Sequence, residues 1–398
     1  MTLTEVREVS GQVGDFTVKL IEHPRYVDMD KCIACGECAA KCPKKVDDEY
    51  NEGLGKRKAI YVQYAQAVPL KYQIDEENCI YLKKKKCGAC VQVCPAGAID
   101  FEQKPKEKTV RVGSLVLTPG FQAFDPSGIR TWGYDTFPNV ITSLELERYL
   151  SASGPSEGHL IRPSDGKPVR RMAFLQCVGS RDLSKSGHGY CSGVCCMYAI
   201  KEAMIAKDHE PDLDVSIFFM DIRTHGKDFE RYYERAKDAG IRFNRCRVHS
   251  LEPAGRGGAI YLRYITDRGK QVGAEYDLVV LSVGMEASRA ALDLAERCDV
   301  NLNQNNFAER GGFQPVLAKG RPGIMVSGAF AGPHDIPQSV TEASAAAASA
   351  ALPLAKARGS LTKEKQFPPE RDLSGQDPRI GVFICHCGSN IAGVVDVE

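Results

Sequence analysis

Two groups of cysteines in the first quarter of the chain have spacings that suit iron–sulfur ligands. The first lies in C-I-A-C-G-E-C-A-A-K-C-P and the second in C-I-Y-L-K-K-K-K-C-G-A-C-V-Q-V-C-P. The first has the C-x2-C-x2-C-x3-C-P spacing that binds [4Fe–4S] clusters in pairs, with the fourth cysteine bound to the other cluster. Seven residues separate the first two cysteines of the second group, so we expect a longer loop there. The predicted ligand sets are Cys32, Cys35, Cys38 and Cys94 for one cluster, and Cys79, Cys87, Cys90 and Cys42 for the other.

Zinc sites or disulfide bonds are the alternative uses of these cysteines. Zinc sites rarely need two sets of four cysteines that each end in C-P. Sixteen cysteines in a chain without a signal-peptide pattern favour metal binding over disulfide bonds. We therefore expect clusters. Cys246 and Cys298 stand apart from every group and are expected to be thiols without a role.

Four further cysteines follow with the unusual spacing C-x13-C-x3-C-C. They are Cys177, Cys191, Cys195 and Cys196. The residues alone leave two interpretations open, a third cluster or scattered core thiols. Neighbouring Cys195 and Cys196 do not easily form a disulfide bond with each other, but both could reach one cluster if the chain bends between them.

The pattern of apolar residues predicts an α/β protein around these cysteines. Residues 1–27 alternate as in a β-hairpin, and residues 109–120 are predicted to form a strand that ends in T-P-G. Residues 172–175 predict a buried strand that opens a second α/β unit, and residues 276–285 predict a buried parallel strand that closes it. The turn after the first of these strands reads Q-C-V-G-S-R-D. This unit is therefore Rossmann-type but lacks the G-x-G-x-x-G loop that binds a nicotinamide dinucleotide.

The last part of the chain predicts a strand at residues 324–327, a Gly-rich turn, and an Ala-rich helix that starts near Pro337. The amino end of such a helix can stabilise negative charge on a cofactor; the alternative is a packed helix and nothing more. Residues 357–378 are typical of a linker. Residues 379–398 start another unit, in which Cys385, His386 and Cys387 look like part of an incomplete site.

Charge and hydropathy limit the class of partner. The net charge is +1, so no nucleic-acid partner is expected. The sequence has no run of 18 apolar residues and no signal-peptide pattern, which predicts a cytoplasmic protein without a membrane span. Four lysines, residues 83–86, lie at the rim of the second cluster. They form either a solvated loop or a docking patch for an acidic electron-transfer partner.

The order of these motifs resembles the A-type subunit of heterodisulfide reductase, an iron–sulfur flavoprotein family of methanogens and many anaerobic bacteria. The matching pieces span residues 1 to about 350. They include E-G-L-G-K-R-K-A-I-Y, C-P-A-G-A-I-D-F, V-I-T-S-L-E-L-E-R, F-L-Q-C-V-G-S-R-D, C-C-M-Y-A-I-K and G-P-H-D-I-P-Q-S-V. The resemblance implies an α/β fold of thioredoxin-reductase-like, Rossmann-type flavoprotein domains, with an inserted α+β ferredoxin-like domain for two [4Fe–4S] clusters.

The resemblance also implies a domain order. Part of an FAD domain occupies residues 1–27, the ferredoxin-like insert residues 28–105, and the return of the FAD domain with a connector residues 106–165. A degenerate nicotinamide-type domain with a cysteine-bound cluster occupies residues 166–286, and the last part of the FAD domain residues 287–356. The linker at residues 357–378 and the start of a further module at residues 379–398 complete the order.

Site residues follow from the same resemblance. It implies that Cys177, Cys191, Cys195 and Cys196 bind a third [4Fe–4S] cluster close to the flavin, and that Lys201 approaches flavin N5 as a catalytic residue. The implied FAD contacts are Thr118, Gly120, Gly328, Gly332, Ile336, Pro337, Gln338, Ser339 and Val340.

Two departures from the family pattern bear on FAD. The family's Gly-rich FAD phosphate loop lies upstream of the insert and is not in this sequence, while residues 379–398 resemble the start of a second copy of the same polypeptide. We therefore expect a segment of a longer or tandem-fused protein, in which full FAD binding needs the missing upstream half. Ser327, Gly328 and Ala329 stand where many flavoproteins have Gly-Asp, so backbone contacts are expected to replace the aspartate.

The function that these features favour is an FAD and iron–sulfur electron-transfer subunit, electron-bifurcating, in a heterodisulfide reductase-like complex. Its implied partners are the other subunits, a hydrogenase- or dehydrogenase-type electron donor and ferredoxin, in an oligomer. The alternative is a flavin-free ferredoxin-type relay or scaffold. A third hypothesis, a nicotinamide-dependent reductase resembling the small subunit of glutamate synthase, conflicts with the lost G-x-G-x-x-G loop.

Overall fold

The computed structural model describes residues 1–184, 187–255 and 258–384. Cys385, His386 and Cys387 lie outside the described residues, and so does most of the segment predicted to start a further unit.

The chain begins with an antiparallel hairpin and continues into the cysteine-rich insert. The hairpin consists of β1 (Thr4–Gln12) and β2 (Asp15–Glu22), as its alternating pattern predicts. The insert contains only short elements, which are α1 (Glu37–Lys41), β3 (Lys45–Asp47), β4 (Lys56–Lys58), β5 (Ile60–Tyr61), β6 (Gln73–Ile74), α2 (Ile80–Lys84) and α3 (Ala89–Val93).

Longer elements follow the insert. The first group is β7 (Lys106–Val112), β8 (Leu115–Leu117), β9 (Gln122–Ala123), β10 (Val140–Thr142), α4 (Ser143–Leu150), β11 (Arg171–Val178), α5 (Cys195–His209), β12 (Asp214–Phe219), α6 (Phe229–Asp238) and β13 (Arg242–Arg245). The second group is β14 (Leu251–Ala254), β15 (Ala259–Ile265), β16 (Gln271–Tyr276), β17 (Leu278–Val283), β18 (Met285–Glu286), α7 (Arg289–Arg297), β19 (Ile324–Val326) and α8 (Ile336–Ala351). Short 3-10 turns lie at Glu49–Asn51, Pro126–Gly128, Arg130–Trp132, Gly328–Phe330 and Leu352–Ala357.

A five-stranded parallel sheet is the largest sheet of the described chain, in the order β10-β17-β11-β12-β13. Side chains of β11 alternate between two cores. Met172 and Phe174 face helices α4, α5 and α6, while Ala173 and Leu175 face the antiparallel sheet of β14, β15 and β16. The central strands are therefore covered on both faces, which explains their continuous apolar sequences.

The remaining sheets join segments that are distant in sequence. β7 returns after the insert to pair with β2, so that β1, β2 and β7 form one antiparallel sheet. β8 pairs in parallel with β19. The predicted α/β fold class, with a Rossmann-type sheet and an inserted α+β unit, is confirmed.

Two local predictions are wrong. Residues 109–120 are not one strand, because the chain breaks at Gly113 and Ser114 and enters two different sheets as β7 and β8. The spacer between Cys79 and Cys87 is not simply a longer loop, because five of its residues form helix α2. That helix ends at Lys85, whose backbone is left-handed with φ of 53°. None of the helices in the described part of the chain is both long enough and apolar enough to cross a membrane.

Candidate functional site

The eight cysteines of the insert form two sets, each around its own cavity. One cavity is lined by Cys42, Cys79, Cys87 and Cys90, and the other by Cys32, Cys35, Cys38 and Cys94. All eight are free thiols. The fourth cysteine of each sequence group therefore lines the cavity of the other group, which is the arrangement that paired clusters require.

Two short helices bring the fourth cysteine of each group to the cavity of the other group. Helices α1 and α3 pack against each other, and each begins after a glycine with positive φ, Gly36 at 88° and Gly88 at 127°. Each ends at a cysteine with extended backbone, Cys42 or Cys94. A proline follows each of these cysteines, and the residue before proline avoids the helical conformation. The backbone therefore turns away from the first three cysteines of its group at the fourth cysteine.

The chemistry of both sets fits [4Fe–4S] clusters. Burial, reinforced by neighbouring cysteines, raises the pKa of Cys38 to about 12 and that of Cys90 to about 11. Thiolates at these positions are costly unless iron offsets their charge. An amide of the chain already points at one sulfur, since Ala98 N–H donates to Cys94 Sγ at 3.3 Å. Within the described ranges, no three His, Cys, Asp or Glu side chains are spaced to bind a single metal ion.

A buried ion pair holds Cys79 in place. The Asp75 carboxylate accepts hydrogen bonds from Arg57 Nη2 at 2.9 Å and from the Asn78 backbone and side chain at 3.1 and 3.0 Å. The Cys79 amide donates to the Asp75 carbonyl at 2.9 Å. Arg57 also binds Glu49 through two nitrogens, both at 2.6 Å. Residues between the two cysteine groups thus fix the first cysteine of the second group.

The third cysteine set assembles where β11 ends and α5 begins. Cys177, Cys195 and Cys196 are buried, and hydrogen bonding from the thiols of Cys177 and Cys196 lowers the pKa of Cys195. Cys191 joins them across the loop, and its sulfur accepts the Gly193 amide at 3.4 Å. Cys177 has a left-handed backbone with φ of 64°, a strained conformation for a residue with a Cβ that is common at functional sites.

Groups around this third set also suit a sulfur-rich cofactor. The hydroxyl oxygens of Ser180 and Ser192 are buried and have no oxygen or nitrogen partner, although Ser192 lies close enough to the Cys195 thiol to lower its pKa. Both serines lie against Gly284, where an added Cβ would be 2.3 Å from Ser180 Oγ and 3.6 Å from Ser192 Cβ. Buried hydroxyls without partners are costly, and the sulfur atoms of a cluster would satisfy them. The Arg181 guanidinium opposes the rise that burial and Cys195 produce in the pKa of Cys177.

The strands expected beside the flavin end at one sheet edge. Because β8 and β19 pair in parallel, Thr118 and Gly120 after β8 lie at the same edge as Gly328 after β19. Gly120 has φ of 82° and an added Cβ there would meet open space, so its backbone is accessible to a ligand. The Gly328 amide instead donates to the Glu342 carboxylate at 3.1 Å. Backbone contact to a cofactor at Gly328 would have to replace that bond.

The amino end of α8 is partly occupied by its own cap. The Asp335 carboxylate accepts from the Gln338 amide at 2.9 Å, and the Ser339 amide donates to the Asp335 carbonyl. Pro337 has no amide hydrogen, which leaves the Ile336 amide for a ligand. Asp335 also places a negative charge where negative charge on a cofactor was expected to be stabilised. The exposed side chains on this turn are those of Ile336, Pro337, Gln338 and Val340.

A cavity of about 120 Å³ lies between α4 and α5, and we call it the α4–α5 cavity; none of the predicted FAD contacts is in its lining. Its lining includes Phe121, the residue after Gly120, Val194, the residue before Cys195, and the carboxyl groups of Glu147 and Glu202. Lys201 reaches this lining through Glu147, to which its Nζ donates at 2.5 Å. The loop of the third cysteine set also touches the turn at Gly332, since a Cβ on Gly193 would lie 2.5 Å from the Pro333 carbonyl oxygen.

Several of these side chains were not found from the sequence; Lys201 was predicted from the family resemblance, but its partner Glu147 was not. Arg57 and Asp75 are 18 residues apart, and Lys201 and Glu147 are 54 apart, so local patterns carry no signal for either pair. Glu342, the partner of the Gly328 amide, also binds Arg310 and His334. Glu202 could have been noticed from the sequence, because it is an acidic residue among the alanines of a helix that is otherwise apolar on that face.

Comparisons with known proteins agree with the cysteine chemistry. Two family models, both described as 4Fe-4S binding domains, match residues 25–46 and 73–99. The chain is 43% identical over 361 residues to the A-type iron-sulfur subunit of the CoB--CoM heterodisulfide reductase of Methanocaldococcus jannaschii, covering 89% of this chain and 54% of that protein. It is 46% identical over 362 residues to the second A-type iron-sulfur subunit of the same enzyme of Methanopyrus kandleri, with the same coverage. The chain spans about half the length of these curated relatives.

Solved structures are more distant. The thioredoxin reductase of Lactococcus lactis, in its FR conformation, is 12% identical and covers 75% of this chain and 86% of its own, with a TM-score of 0.39. LpdA of Mycobacterium tuberculosis is 15% identical and covers 69% of this chain and 47% of its own, with a TM-score of 0.34.

Proposed function

Because the chain belongs to the family of A-type heterodisulfide reductase subunits, we propose that it is the electron-transfer part of an iron–sulfur flavoprotein. In this proposal the two sets of the insert each hold one [4Fe–4S] cluster, and Cys177, Cys191, Cys195 and Cys196 hold a third. FAD would lie at the α4–α5 cavity, with Thr118, Gly120, Gly328, Gly332 and residues 336–340 as its contacts.

One observation supports the proposal most directly. The loop that holds the third cysteine set packs directly on the Gly332 turn, with Gly193 against Pro333, and the α4–α5 cavity opens beside it. The third cysteine set and the Gly332 turn are 136 or more residues apart in sequence, and nothing in a simple ferredoxin-type relay requires them to meet.

Residues on different walls of the cavity would have different roles in electron transfer. FAD, when bound, supplies the ability to accept an electron pair and to pass electrons on singly. Cys195, at the start of α5, carries the third cluster at one wall of the cavity. Lys201 lies less than two turns further along the same helix, paired with Glu147. An ammonium on this wall would stabilise negative charge gained in the cavity.

The wider assembly follows from the family. We propose the domain order given by the sequence, with the insert at residues 28–105 as the path for electrons to or from ferredoxin. We further propose that the flavin bifurcates electrons between acceptors of different potential, and that other heterodisulfide reductase-type subunits and a hydrogenase- or dehydrogenase-type donor are the partners. Relatives in Methanothermobacter are named as A-type subunits of an H(2):CoB-CoM heterodisulfide,ferredoxin reductase.

A second candidate function is a flavin-free electron relay. Asp335 and Glu342 already occupy the amides of Gln338 and Gly328, which removes two donors that a flavin would otherwise use. In that case the α4–α5 cavity and Lys201 have no redox role, and the α/β part acts as a scaffold for the insert.

A visible spectrum separates the two functions. The chain is reconstituted anaerobically with iron and sulfide and then titrated with FAD, so that weak flavin binding is also detected. The Lys201→Ala variant is compared with it, and Lys363→Ala in the exposed segment is the matched control. We expect the flavin absorbance to shift on binding in the native chain and the control, and a shifted flavin potential in Lys201→Ala. Clusters without any shift of the flavin absorbance would favour the relay.

A further inference from the structure

Glu202 is a buried acid that the proposed electron transfer leaves unused. It lies on α5 with 1% of its surface exposed, and its Oε2 atom has no hydrogen-bond partner. It lines the α4–α5 cavity together with Ser143 and Glu147 of α4. Its side chain therefore meets the space in which a cofactor would sit, without a partner of its own.

Burial sets the protonation state of this group. The pKa of Glu202 is raised well above its ordinary value, first by burial and then by the negative charge of Glu147, against a smaller opposing effect of Lys201. An isolated ionised carboxylate in such a place would be costly, and the group keeps its proton instead. Burial therefore favours the neutral, protonated form of the Glu202 carboxyl group.

The surroundings do not give Glu202 a structural partner. Its neighbours on the same face of α5 are Ala199, Ala203 and Ala206, all fully buried. The ionisable groups that face it are Glu147 on α4 and Lys201 and Tyr198 on α5; Val283 from β17 is apolar. Tyr198 is already committed, because its hydroxyl donates to the Val283 carbonyl at 2.6 Å.

We propose that Glu202 is the proton donor of the α4–α5 cavity, giving its proton to a basic nitrogen of the ring system bound there as that ring system gains electrons. This inference rests on the proposed function. The O–H bond of Glu202 breaks, an N–H bond forms on the ring, and the carboxylate retains the electron pair of the broken bond. The two electrons come from reduced iron–sulfur clusters, one from each cluster oxidised.

A return path for the proton is present at the same wall. The Glu147 and Lys201 side chains are 36% and 46% exposed, so this ion pair lies between Glu202 and solvent. A proton can therefore reach Glu202 from water by way of the pair, while Glu202 itself stays out of water.

Infrared spectroscopy of the reconstituted full chain tests this directly. We expect a neutral carboxyl C=O band at pH 7 that is absent in Glu202→Gln and retained, shifted, in Glu202→Asp. Glu364→Gln, at an exposed position outside the cavity, is the matched control and should leave the band in place. In time-resolved spectra recorded during reduction, the Glu202 band should be lost transiently, before a proton returns to Glu202 by way of the Glu147–Lys201 pair. Iron content and far-ultraviolet circular dichroism establish that each variant is folded.

The outcomes separate the donor role from the flavin site. No neutral band, or one that survives Glu202→Gln, shows that Glu202 is ionised and overturns the inference. A band that is present but shows no transient loss at any time during reduction overturns the donor role and leaves a buried structural acid. A chain whose titration with FAD shows no bound flavin contradicts the proposed function itself, and the donor role falls with it.

Discussion

Arg57 offers the sharpest test of how the insert holds its second cluster. Its side chain is 10% exposed and that of its partner Asp75 is 12% exposed, and the guanidinium lies 3.9 Å from the centre of the Tyr61 ring. The change Arg57→Met removes the charge and keeps most of the apolar stem. It leaves the Asp75 carboxylate buried without its cation.

The expected cost follows from that burial. Removing one partner of a buried ion pair costs about 3–5 kcal/mol, because the other charge stays uncompensated. The second partner, Glu49, provides a matched control: it is 72% exposed, and Glu49→Gln should cost about 0–1 kcal/mol. The double variant Arg57→Met, Asp75→Asn should recover part of the loss, since a neutral side chain at position 75 needs no cation.

Denaturant unfolding of the cluster-loaded chain under anaerobic conditions measures these differences. The Cys79 amide binds the Asp75 carbonyl, so the second cysteine set should release its iron before the first set does in Arg57→Met. A loss for Arg57→Met no larger than that of Glu49→Gln would refute the reasoning. So would preferential loss of iron from the set of Cys32, Cys35, Cys38 and Cys94.

Two further predictions concern the third cysteine set and the α4–α5 cavity. Gly193→Ala adds a Cβ 2.5 Å from Pro333 at φ of 74°, and should destabilise the chain by more than the about 1–2 kcal/mol of a left-handed backbone alone. Gly166→Ala, at φ of 69° with open space around it, is the control in denaturant unfolding, and equal losses would contradict the close packing. Glu202 has a raised pKa in the folded chain, so the free energy of unfolding should fall as pH rises above the ordinary glutamate pKa, by up to about 1.4 kcal/mol per pH unit. Urea unfolding at several pH values should show this fall in the native chain and a flatter dependence in Glu202→Gln; parallel curves would show that Glu202 is ionised.

The cysteines that would bind the clusters could be predicted from the sequence, but most of the side chains that hold them in position could not. The spacing C-x2-C-x2-C-x3-C-P implies the exchange of Cys42 and Cys94 because short spacers and a following proline act within a few residues. Continuous apolar runs likewise predict β11 and β17 as buried parallel strands. Both patterns involve residues that are close in sequence, so a single sequence is enough to recognise them.

Side-chain pairs between residues that are distant in sequence, and the caps of helices at turns, could not be predicted in this way. The ion pairs of Arg57 with Asp75 and of Lys201 with Glu147 depend on how distant elements pack. Helix α2 lies in a spacer rich in lysine, whose periodicity is too short to distinguish a helix from a loop. Asp335 caps α8 with a side chain that was not among the predicted site residues, although aspartate is a common cap.

Iron and sulfide counts on the native chain and on Cys195→Ser test the central claim, that the third cysteine set holds a cluster beside the flavin cavity. Cys195 is the buried centre of that set and lies outside the insert. After anaerobic reconstitution we predict about twelve irons per chain in the native protein and about eight in Cys195→Ser, since each [4Fe–4S] cluster contributes four. About eight irons in both proteins would contradict the third cluster, and fewer than about eight in the native chain would contradict the clusters of the insert as well.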